Sequence, residues 1–182
     1  MADTSTKQET VTEFLRRQHS QVRSMFAEME QAQGEARTQL FDCLRAFLAV
    51  HETAEEEVVH PAARKAGGES VVEARLKEED EAKTVLSELE KIGPDGEGFA
   101  QKFASFQKAV DAHATAEEQQ LFPIIESKLD AGTQEKMTKQ LQIAEKMAPT
   151  HPHPHGPEGA LGNLVLGPFV AMADKVRDAL KG

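Results

Sequence analysis

The stretch HETAEEEVVHP (residues 51–61) returns, altered, as HATAEEQQLFP (residues 113–123). Six of the eleven positions are identical, and a phenylalanine stands ten residues before the leading histidine of each copy (Phe41 and Phe103). Further upstream, MFAEME (residues 25–30) matches VLSELE (residues 85–90). Self-similarity at an offset of about 60 residues marks a duplicated pair of helices. Two such pairs predict a pseudo-two-fold bundle in which equivalent positions face each other across the core.

Helical periodicity extends well beyond the repeat. Phe14, Leu15, Val22, Met25, Phe26 and Met29 recur at steps of three and four, the spacing of one helix face. They predict a first helix over about 10–33, stopping at Gly34. Leu40, Leu44, Phe47, Leu48 and Val58 predict a second helix that ends at Gly67-Gly68. Val72, Leu76, Ala82, Leu86 and Leu89 predict a third, ending at Gly93-Pro94, and Phe99 to Leu129 a fourth. Pro61 and Pro123 fall inside the second and fourth segments. The apolar stripes continue past them, so kinks are expected there and not ends. The fold class is therefore all-α, an up-down-up-down four-helix bundle over residues 1–132. Residues 133–182 form an extension: a short helix over about 134–147 with Thr133 as its N-cap, an irregular Pro- and His-rich linker, and a weak terminal helix over about 167–180.

Composition narrows the function. Twenty-one basic and 31 acidic residues give a net charge of −10 in 182 residues. An acidic chain without a basic stripe argues against a nucleic acid or an anionic membrane as partner. The single cysteine, Cys43, excludes an internal disulfide framework and any CxxC zinc site, and reads as a buried, inert thiol. The first residues lack the apolar core of a secretory signal, and no run is long enough to span a bilayer. A cytoplasmic protein is the expectation.

Ionisable residues stand where apolar ones belong. His19 lies four after Leu15 and three before Val22; His51 lies four after Phe47, and Glu55 four after His51. His113 follows Val110 by three, and Glu117 follows His113 by four. The third helix has no histidine, but aligning the repeats sets Glu79 opposite His19, on the stripe of Leu76 and Leu86. Its neighbour Asp80 shares a stripe with Glu73, Thr84 and Ser87 and reads as solvated. Three interior carboxylates would repel one another and lose hydration; Arg23 and Lys83 are the nearest cations by sequence. Bound cations remove that cost. An HxxxE pair on one face aims an imidazole and a carboxylate at one point. Two such pairs plus one ligand from each remaining helix give six: His19, His51, Glu55, Glu79, His113 and Glu117. Imidazole and carboxylate without thiolate suit iron or manganese, with zinc as an alternative.

A lone histidine on an apolar face is most often a core residue with its hydrogen bonds satisfied; a repeated set is not so easily explained. Glu52, Glu56, Glu57 and Glu118 read as solvated charges, and His60, half a helical turn from His51, as a packing or surface residue, with support behind the metal ligands as the alternative. His151, His153 and His155 read as a loose tail. The zinc-protease motif HExxH fails, because position 55 is Glu.

The pattern resembles the hemerythrin-like, or HHE cation-binding, domains: His on helix one, HxxxE on helix two, His on helix three and HxxxE on helix four. Here it runs His19, His51 with Glu55, Glu79, and His113 with Glu117, over about residues 10–130. The resemblance implies two non-haem irons inside the bundle, bridged by Glu55 and Glu117. His19 and His51 would cap one iron and His113 the other. It implies a small diatomic or peroxide ligand: binding or sensing of O2, nitric oxide or peroxide. Peroxide decomposition or another oxidative reaction, and iron storage or delivery, are the alternatives. Glu79 departs from the usual histidine, and Lys83 stands where oxygen-carrying members have a further one. The second iron would then be poor in nitrogen, which argues against reversible O2 carriage.

Overall fold

The computed structural model describes residues 9–146 and 175–180. Every regular element among them is helical. Helix α1 (Val11–Gln31) opens on a capping box: the Thr10 hydroxyl accepts from the Glu13 N–H, and the Glu13 carboxylate accepts from the Thr10 N–H. These bonds satisfy donors that a helix start otherwise leaves bare. Gly34, at φ 55°, opens α2 (Gly34–Ala54) as well as ending the turn before it. A π-helical turn, Glu55–Val59, joins α2 to α3 (His60–Lys65). Helix α4 (Glu69–Ile92) ends at Gly93, whose φ of 73° favours glycine. Helix α5 (Phe99–Ala116) runs through a second π turn, Glu117–Leu121, into α6 (Phe122–Lys128). The chain thus forms the up-down-up-down bundle, α1 against α2 and α4 against α5.

Where kinks were expected at Pro61 and Pro123, the helix widens just before each proline. In the first π turn the His60 N–H donates to the Glu55 carbonyl, five residues back, and in the second the Phe122 N–H donates to the Glu117 carbonyl. A proline has no N–H to give and its ring crowds the carbonyl of the preceding turn; a turn with one extra residue accommodates both. Helix α7 (Ala131–Glu145) starts earlier than Thr133 predicts. Asp130 is its cap, accepting from the Thr133 N–H, because a carboxylate at that position outcompetes a hydroxyl three residues later. Residues 175–180 are helical; the rest of the expected terminal helix, the HPHPH run and Met147 lie outside the described residues.

The apolar core is in two parts. One joins Val11, Phe14 and Leu15 of α1 to Val50, Val59, Val72, Phe122, Ile125 and, from α7, Met137 and Leu141. The other joins Val22, Met25 and Phe26 to Phe41, Cys43, Phe47, Leu86, Phe99 and Phe106. Along α1 the boundary falls at His19, along α2 just before His51, along α4 at Glu79, and from α5 into the second π turn at His113 and Glu117. A polar layer therefore crosses the bundle between two hydrophobic blocks. Among the described residues no helix is long and apolar enough to cross a membrane.

Candidate metal centre

His19, Glu55, Glu79 and Glu117 are each at most 2% exposed, and His51 is 6% exposed. Ligand atoms of His19, His51, Glu55 and Glu117 all lie within 4.8 Å of one another; so do those of His60, Glu79 and Glu117. Glu117 belongs to both groups. His113 joins through its Nε2, 3.6 Å from Glu117 Oε1. The six predicted residues thus come together, and Asp80 is exposed.

Three of the histidines are held from behind. His19 Nδ1 lies 2.9 Å from Glu118 Oε1, and His113 Nδ1 lies 2.9 Å from Glu78 Oε2. A carboxylate at this distance accepts, so each Nδ1 carries the proton and each Nε2 turns a lone pair inward. His51 Nδ1 lies 2.9 Å from Gln18 Oε1, while the Gln18 amide nitrogen donates to Glu145. That second bond fixes which end of the amide faces His51. Glu118 also accepts from Arg23 and Glu78 from Arg75.

The carboxylates lack such support. Both oxygens of Glu55, Glu79 and Glu117 are buried without a hydrogen-bond partner, as are the inward Nε2 atoms of His19 and His113. His19 Nε2 is 3.2 Å from Glu117 Oε2, but not in hydrogen-bonding alignment. Burial, then the charge of Glu117, pushes the Glu55 carboxyl well above the ordinary range. Burial acts the same way on Glu117; protonated His19, His113 and His51 rings would outweigh it and hold that carboxyl low, whereas neutral rings would not. Burial drives His51 down to about 3, leaving a neutral imidazole, the form that ligates. Lys83 brings a cation to this layer, 3.9 Å from Glu79 Oε2, 4.0 Å from Glu52 Oε2 and 2.6 Å from Glu56 Oε1. Arg23 instead reaches Asp111 and Glu118.

Several readings of single residues change. Glu118 supports His19 and is not simply solvated. Glu52 is buried at 8% exposure, and burial pushes its carboxyl up to about 8 against the pull of Lys83. Glu56 pairs with Lys83, and Glu57, though exposed, with Arg177. His60 is 2% exposed, its Nε2 3.5 Å from Glu79 Oε1. Gln18, Glu78 and Glu118 each sit one residue from a predicted ligand in the chain, a signal that periodicity alone passes over. Cys43 is buried as expected, and burial raises its thiol to about 11.

A cavity of about 730 Å³ opens onto this layer. His19, His51, Glu79 and His113 line one part of it, and apolar side chains such as Val22 and Phe106 another.

Bare carboxylate oxygens alternating with imidazole lone pairs in a buried layer could hold a cation. The chain belongs to the hemerythrin family: the sequence model described as Hemerythrin HHE cation binding domain matches residues 10–125. It is 29% identical over 137 residues to an uncharacterized hemerythrin-like protein of Schizosaccharomyces pombe, covering 74% of this chain and 68% of that protein. It is 27% identical over 136 residues to a DNA nickase of a Nostoc species, covering 74% of this chain and 39% of the nickase. No solved structure matches it.

Proposed function

We propose that this bundle holds two non-haem irons and binds O2, nitric oxide or peroxide beside them. The observation that carries this reading is the set of unpartnered oxygens on Glu55, Glu79 and Glu117, interleaved with inward-facing imidazoles. The donor set fits iron: hard carboxylates, borderline imidazoles and no thiolate, which manganese or zinc would also accept. His19 and His51 would hold one ion, Glu79 and His113 the other, with Glu55 and Glu117 shared between them. Bound there, such a pair of ions supplies two adjacent redox centres that also act as Lewis acids.

The chain's own part is orientation and exclusion. Glu118, Gln18 and Glu78 keep three Nε2 lone pairs aimed inward. The Phe122 ring, stacked on His19 at 5.7 Å between centroids, closes off the block beyond. The cavity gives a small ligand a route to the layer. A second reading, peroxide decomposition, is favoured by the carboxylate of Glu79, a hard donor that suits the more highly charged ion. Iron delivery is a third. A nucleic-acid role by analogy with the nickase is not proposed, since the net charge of −10 opposes a DNA backbone.

Metal content of freshly purified, untagged protein tests the centre. About two irons per chain are expected, as in two-metal sites; none after anaerobic iron loading would end the reading. With iron bound, a stable nitric oxide or O2 spectrum supports binding. Rapid O2 evolution from added peroxide supports the second reading, and ready loss of iron to a weak chelator the third.

A further inference from the structure

His60 is the odd ring in the layer. Of the four histidines among the described residues, three have Nδ1 in a hydrogen bond; His60 has neither nitrogen in one, though it is 2% exposed. Burying an imidazole with no partner forfeits its hydrogen bonds to water with nothing in return. Apolar packing alone would be better served by phenylalanine, and the equivalent position of the repeat is Phe122.

Its location follows from the π turn. An α-helix turns about 100° per residue, so nine residues from His51 to His60 would carry the ring about half a turn away. The turn at Glu55–Val59 holds one residue more than an α-turn, which takes about 100° off that angle. His60 then stands to Glu55 as an i+4 neighbour would, on the face that carries His51 and Glu55. There its Nε2 is 3.5 Å from Glu79 Oε1, and it shares a cluster with Glu79 and Glu117 whose ligand atoms lie within 4.8 Å.

We propose that His60 Nε2 is a ligand of the second metal ion, supplying from α3 the nitrogen that Glu79 does not supply from α4. This rests on the two-ion centre proposed above. It makes the second ion less poor in nitrogen than the pattern of helix-three residues implies. With no acceptor behind Nδ1, His60 is the least firmly oriented of the imidazoles, so its ion is the more readily removed.

The test is iron per chain in His60→Phe, which copies the other half of the repeat. The parent should hold about two ions and His60→Phe about one, with the helical circular dichroism unchanged. His60→Phe combined with Glu79→His should return to the parental count. A His60→Phe protein that keeps the parental count and resists a chelator equally well overturns the proposal. A parent without metal overturns the two-ion centre itself, and this proposal with it. Should His60→Phe fail to fold, the parent loaded with zinc decides. The assigned His60 ring nitrogens shift into the metal-bound range in its 15N spectrum, or they stay put and the proposal falls.

Discussion

At the scale of single residues, the proposed centre would depend on groups behind its histidines. An imidazole ligates well only when its other nitrogen is fixed. Glu118 does this for His19, Gln18 for His51 and Glu78 for His113. Glu118→Ala should therefore weaken iron(II) binding by about 10- to 100-fold, read by competition with a chromogenic chelator. Glu57→Ala, at an exposed carboxylate paired with Arg177, should leave it unchanged. Equal affinity in both variants would mean that His19 needs no carboxylate behind it. The ligand candidates themselves were legible: His19, His51, Glu55, Glu79, His113 and Glu117 each break an apolar stripe, and the repeat reinforces them. The supporting residues were not. One step along a helix is a turn of about 100°, which places Gln18, Glu78 and Glu118 at the margin of the stripe, where charged and polar residues are ordinary.

At the scale of elements, the same distinction separates what periodicity reads from what it misses. Helix α1, α4 and the bundle order follow from apolar spacing and glycine stops. The two π turns do not, because a count in steps of three and four assumes one constant pitch. The prolines mark where that assumption fails, but they do not say whether the helix bends, breaks or widens. His60 was misplaced for this reason alone: the phase was wrong after Glu55, not the residue. Helix ends are simpler. Thr10 and Glu13 satisfy each other's backbone N–H groups at the start of α1, the helix that carries Gln18 and His19. Thr10→Ala should cost about 1 kcal/mol of stability, measured by urea unfolding of metal-free protein. No change would show that the capping box adds nothing beyond the packing of Val11 and Phe14.

At the scale of the whole molecule, a layer of acids between two hydrophobic blocks makes the metal-free fold sensitive to pH. Burial lifts Glu52 to about 8; burial and the charges of Glu52 and Glu117 lift Glu79 to about 10, from an ordinary 4.5. Between those values the folded chain holds protons that the unfolded chain has released. The stability tied to them is complete below the unfolded value and is lost as pH rises through the folded ones. Burial also leaves His51 and His60 at about 3 and 4; above pH ~7 they are neutral folded or unfolded, so the carboxylates set the slope. The Tm of metal-free protein should therefore fall from pH 7 to 9, and that of iron-loaded protein should fall less, since cations replace the protons. A metal-free Tm that stays level over that range would mean the acids are already paired. Cys43 sits in the block on the far side of this layer from α7. It is the chain's one thiol, sealed among Phe41, Leu44 and Phe47. A reagent meets it only in molecules whose helices have parted, so the protein carries its own clock for how often the bundle comes open.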